Sequence, residues 1–97
     1  MGKAVSRIGD LDLPHCTGMV RATGSSDVFV NTRPVVRKGD INTVHMQPFI
    51  PPCVPHVGPV KTGSKKVFVN GRGIGRLGDG LIDCTKIAQG STNVFSG

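Results

Sequence analysis

Three Gly-Asp pairs recur along the 97 residues, Gly9-Asp10, Gly39-Asp40 and Gly78-Asp79, each with an Arg two places before its Gly. Five positions beyond each Asp stand His15, His45 and Cys84. One repeated unit thus sets a metal-competent side chain at one equivalent position, and if the units surround an axis the three side chains converge on it. His56, in a Pro-rich insertion at 48–56 that only the middle linker has, supplies a fourth donor. Three imidazoles and one thiolate suit zinc, a borderline-soft ion that accepts nitrogen and sulfur in a tetrahedron; iron is the other metal such a set accommodates. Cys16 and Cys53 lie next to or near a candidate but outside the repeated register, and stand as competing ligands or as small buried apolar residues. Three Cys is an odd count, so they cannot all pair as disulfides.

A closed four-ligand set is structural, because a catalytic zinc keeps one position for water and needs a nearby base. Asp12 and Asp83 are expected to form turns or to accept hydrogen bonds behind the ligands, not to act as bases. No catalytic residue is expected, and the chain is read as not an enzyme. Gly73-Ile74-Gly75-Arg76-Leu77-Gly78 satisfies the GxGxxG pattern, yet Asp79-Gly80 follows and opens no helix that could meet a pyrophosphate. These glycines read instead as hairpin and close-approach positions.

The elements that must position the donors are strands. Gly24-Ser25-Ser26-Asp27-Val28-Phe29-Val30-Asn31 is matched by Gly63-Ser64-Lys65-Lys66-Val67-Phe68-Val69-Asn70, and Gly90-Ser91-Thr92-Asn93-Val94-Phe95 begins a third copy. Val-Phe-Val favours a strand and Asn70-Gly71 is a strong hairpin turn, with return arms expected over 34–37 and 73–76. The outer copies look cut short. A lone hairpin is unstable in water, so the copies must associate, by linear stacking or by closure around an axis.

Composition agrees. Only 37% of the residues are apolar, with four Phe, no Trp and no Tyr, while fourteen Gly and seven Pro disfavour helices. The fold class expected is all-β, one domain over 1–97, with a core too thin to hold without a further device. Net charge is +6, which is compatible with a solvated surface or an acidic partner. No stretch is apolar and long enough to span a bilayer, and Met1-Gly2-Lys3-Ala4-Val5-Ser6 lacks a secretory signal core. A zinc-stabilised nucleic-acid-binding module is the alternative from another class. Against it stand the absence of a groove-entering helix, of a stacking platform and of paired-finger spacing.

The succession Gly-Ser-x-x-Val-Phe-Val-Asn, Arg-x-Gly-Asp, then His or Cys five places on, resembles the PAAR-repeat family from Arg7 to Phe95. The resemblance implies a small cone of three pseudo-threefold-related β-hairpin repeats, pinned near its apex by a metal held by His15, His45, His56 and Cys84. It implies a monomeric tip, one chain per trimer, on the trimeric β-helical spike of a phage tail baseplate or on a VgrG-like spike of a type VI secretion system. Such a tip meets the target cell envelope transiently and binds no nucleic acid. Its place is the baseplate tip of the virion, or the bacterial cytoplasm before type VI secretion. Val28, Phe29, Val30, Val67, Phe68, Val69, Val94 and Phe95 would then supply strands and seating surface. The Pro-Ala-Ala-Arg tetrad itself reads Pro34-Val35-Val36-Arg37 and Gly73-Ile74-Gly75-Arg76 here. Neither end leaves room for a cargo domain, which favours a phage.

Overall fold

A computed structural model describes residues 2–14, 18–43, 45–46, 55–82 and 84–97, with 45–46 and 55–56 described by backbone alone. Gly, Asn and Pro interrupt every β-favouring run, so the strands are short: β1 (Lys3–Ala4), β2 (Phe29–Val30), β3 (Arg33–Pro34), β4 (His45–Met46), β5 (Pro55–His56), β6 (Phe68–Val69), β7 (Arg72–Gly73) and β8 (Phe95–Ser96). There is no helix among the described residues. The architecture is all-β, as the composition requires.

The two expected hairpins form, β2 with β3 and β6 with β7. Their tips, Asn31-Thr32 and Asn70-Gly71, have φ of 53°, 66°, 55° and 77°, the two-residue turn whose twist matches paired strands. The copies that look truncated in sequence are one hairpin divided between the two ends of the chain. β8 pairs with β1, and Phe95 faces Ala4 as Phe29 faces Pro34 and Phe68 faces Gly73.

These three units close around an axis; they do not stack in a line. Ser6 N–H donates to Gly75 O at 2.9 Å, Gly75 N–H to Val36 O at 2.7 Å, and Val36 N–H to Ser6 O at 3.0 Å. Each unit gives one bond to the ring and accepts one. Bridges Val5–Arg76, Arg37–Ile74 and Arg7–Val35 repeat the same cyclic order. The return arms accordingly differ from simple hairpin strands, because from Val35 and Ile74 onward they also pair with the next unit. A two-residue ladder leaves backbone groups that only a neighbour can satisfy.

Every arm ends in the same turn. Gly9, Gly39 and Gly78 have φ near 90° (89°, 90° and 87°), and the following Asp N–H returns to the Arg carbonyl at 3.0, 2.9 and 3.0 Å, a type II turn. The Asp carboxylate accepts its Arg's backbone N–H and is gripped by Nε and Nη2 at 2.9–3.0 Å in all three copies. This is the bidentate geometry in which an ion pair is strongest.

The apolar interior is split in two. Val5, Val35, Val69 and Ile74, with Val30 and Val94 against them, form a hairpin-side cluster. Val36, Val60, Leu81 and Ile87, with Cys84 against them, form a linker-side cluster. The molecule measures 38 × 23 × 23 Å, its two short dimensions equal as a threefold axis along the long one demands.

Candidate metal centre and seating face

On the linker side a second ring of bridges, Asp12–Ile87, Arg21–Asn42 and Val60–Leu81, closes the three units again. Its six positions fall into two equivalent sets. Arg21, Val60 and Ile87 each exchange backbone bonds with a Gly-Asp turn, and Asp12, Asn42 and Leu81 each stand two residues beyond one. Half of this layer is apolar and half is a buried polar network. The Arg21 side chain is fully buried; Nη1 donates to Asp12 Oδ2 at 2.9 Å, and Nη2 to the carbonyls of Asp40 at 2.5 Å and Gly58 at 3.2 Å. Burial pulls the Arg21 pKa down, against the opposing pull of Asp12, Asp40 and Cys84; a guanidinium stays charged regardless. Asn42 completes the network, donating to Asp12 Oδ2 at 2.8 Å and accepting Gly58 N–H at 2.7 Å.

This network holds the foot of a ribbon. β4 and β5 pair antiparallel with His45 directly opposite His56, which sets their Cα atoms about 4.5–5.5 Å apart. Asn42 lies three residues before His45 and Gly58 two residues after His56. Their 2.7 Å hydrogen bond therefore ties the two legs of the ribbon together. Cys84 arrives from the third linker. A Cβ on Gly58 would lie 3.0 Å from Cys84 Cβ and 3.1 Å from Sγ, so the absence of a side chain at 58 is what lets the ribbon's leg approach the sulfur. About 7 Å of extended chain separates Gly58 from His56.

Of the four sequence-derived ligands, the structure brings the backbones of His45 and His56 into register and sets Cys84 beside the leg that follows His56. His15, the competitors Cys16 and Cys53, and Asp83 lie outside the described residues, as do the side chains of His45 and His56. No three His, Cys, Asp or Glu side chains gather among the described residues. The donor types nevertheless fit zinc, two histidines paired by backbone register and a thiol beside the leg that follows one of them. Sequence reasoning missed Arg21 and Asn42 as supports. Aligning the repeats exposes the signal, since Arg21 takes the place of Val60 and Ile87.

On the hairpin side each unit exposes one aromatic residue. Phe29, Phe68 and Phe95, one per hairpin at equivalent register, are 54%, 58% and 58% exposed. Val28 and Val67 are exposed beside them, whereas Val69 is buried and Val30 and Val94 pack against the hairpin-side cluster. The expected seating surface thus narrows to the Phe residues and their exposed Val neighbours.

The GxGxxG glycines serve packing. A Cβ on Gly73 would lie 2.5 Å from Ser64 O, and one on Gly75 2.8 Å from Val36 Cγ1.

A single chain that closes three β-hairpin units around an axis belongs to the class of pseudo-threefold all-β folds. The family model for the PAAR motif matches residues 53–97, and the same turn and hairpin geometry repeats outside that range, over 24–42. The C-terminal part of the chain thus carries a PAAR motif. No curated protein matches it significantly. That motif implies a spike-tip protein of a contractile injection or type VI secretion system.

Proposed function

We propose that the protein caps and sharpens the trimeric β-helical central spike of a phage tail baseplate, one chain per trimer, and helps it to pierce the target envelope. The supporting observation is threefold closure within one chain, with Phe29, Phe68 and Phe95 exposed at equivalent positions. A trimeric β-helix ends in three identical sets of unpaired strand ends. A cap with three equivalent apolar contacts meets all of them at once, and exposed apolar patches of this kind mark interfaces. A VgrG-like spike of a type VI system ends in the same physical part and would be met in the same way.

At the other end, His15, His45, His56 and Cys84 hold zinc, with iron as the alternative metal. The ion supplies a cross-link among the linkers and no chemistry. Arg21, Asp12 and Asn42 keep the ribbon's legs in place beneath it, and Gly58 leaves room for the sulfur.

Light scattering of the chain with its copurifying spike gives the test. One chain per spike trimer is expected, and Phe29→Ser/Phe68→Ser/Phe95→Ser should abolish binding without changing the melt. Three chains per trimer would overturn the cap.

A further inference from the structure

The chain has six Arg, six Lys and six Asp, and the structure divides their labour. All six Arg are ion-paired: Arg7 and Arg33 to Asp10, Arg21 to Asp12, Arg37 and Arg72 to Asp40, and Arg76 to Asp79. No Lys forms an ion pair among the described residues. The net charge of +6 therefore resides in the lysines.

Five of those six lysines share one flank. Two adjoining clefts of about 350 and 290 Å³ have Thr62, Gly63 and Lys65 in common; Lys3 and Lys66 line the first, Lys38 and Lys61 the second, with exposed Phe68 at its rim. The flank breaks the threefold pattern. Where it has Lys38 the other units have Ile8 and Leu77; where it has Lys61, Ala22 and Ala88; where it has Lys65, Ser26 and Thr92; where it has Lys66, Asp27 and Asn93. Nothing in the ring or in the hairpins requires these substitutions, since the other two units fold without them.

We infer that this flank is a docking surface for an acidic polypeptide segment, one per chain, which adjoins the threefold seating face at Phe68. Three observations select that occupant. The cations that line the clefts are ammonium groups on flexible stems, and the one guanidinium among the lining residues, Arg76, is held as a fork by Asp79. The surface is a pair of adjoining concave clefts, which suits a chain segment and not a flat bilayer. One aromatic, Phe68, lines it, enough for a single apolar side chain but no platform for successive bases. A surface present once per chain takes one segment per chain, whatever the symmetry of the spike.

Fluorescence anisotropy on the full chain tests this with a labelled eight-residue peptide alternating Glu with Leu. Lys65→Glu and Lys86→Glu change the net charge equally, but Lys86 lies outside both clefts. Both positions are exposed, so both variants should fold, checked by unchanged melts. One peptide per chain is expected, with affinity falling as salt rises. Lys65→Glu should weaken binding roughly tenfold, while Lys86→Glu changes it by less than about twofold. Equal weakening by both variants, or no binding by the unaltered chain, would overturn the assignment. Tighter binding of a single-stranded oligonucleotide or of phosphatidylglycerol vesicles than of the peptide would also overturn it.

Discussion

At Asp40, burial pushes the carboxyl pKa up, while the Arg37 side-chain and backbone hydrogen bonds and the Thr23 hydroxyl pull it down and prevail, leaving it below its ordinary 3.8. A depressed folded pKa means that this carboxylate stabilises the fold in full above about pH 4 and loses that contribution as pH falls through the depressed value. Asp40→Asn should therefore be less stable than the parent at pH 7, by about 2 kcal/mol for hydrogen bonds to a lost charge, and the gap should begin to shrink as pH falls below 3.8. Thermal melts of both proteins from pH 7 to pH 3 check this, and His protonation, common to both, cancels in the difference. A gap independent of pH would show that the ionised form carries no special weight. The three Gly-Asp turns were legible in the sequence because Gly at positive φ and a following Asp are local signals. Arg21 was not. Its burial follows from an equivalence with Val60 and Ile87 that becomes meaningful only once the linkers are known to form a ring.

Among the elements, the Asn-Gly hairpin was readable from a few adjacent residues, and it forms with both turn residues at positive φ. The β1–β8 hairpin was not readable, because no local pattern announces that Ala4 faces Phe95. The β4–β5 ribbon lies between these cases: the spacing selected His45 and His56, but only the register sets them opposite one another. Such a ribbon, two residues in each strand, has too little ladder to persist alone. Its feet are held by the Asn42–Gly58 bond and by Arg21, and the proposed zinc would add a hold at His45 and His56. Removing zinc with a strong chelator, or changing Cys84 to Ala, is expected to lower the melting temperature by roughly 10 °C or more. Elemental analysis before and after chelation ties the shift to the ion. A melt that does not move in either experiment would leave the ribbon held by its feet alone.

Closure is the property of the whole molecule on which the separate pieces depend. In a linear repeat protein each unit leans on its neighbours, and loss of a terminal unit leaves the others folded. Here the last unit is shared between the chain's two ends, and the hydrogen-bonded ring of Ser6, Val36 and Gly75 includes a residue from that shared unit. Deleting residues 91–97 removes β8, takes from Val5 N–H its acceptor at Val94 O, and deprives Asn31 of the Ser91 hydroxyl that bonds it at 2.6 Å. Val5 then loses its hold in a cluster it shares with Val35 and Ile74 from the other two units. The damage reaches all three units at once, on the order of 5 kcal/mol or more, which is the whole stability of many small domains. Differential scanning calorimetry of the shortened chain should show no cooperative transition. A surviving transition with about two thirds of the parent enthalpy would mean that the first two hairpins stand without the third, and that the ring is a consequence of the fold and not what holds it together.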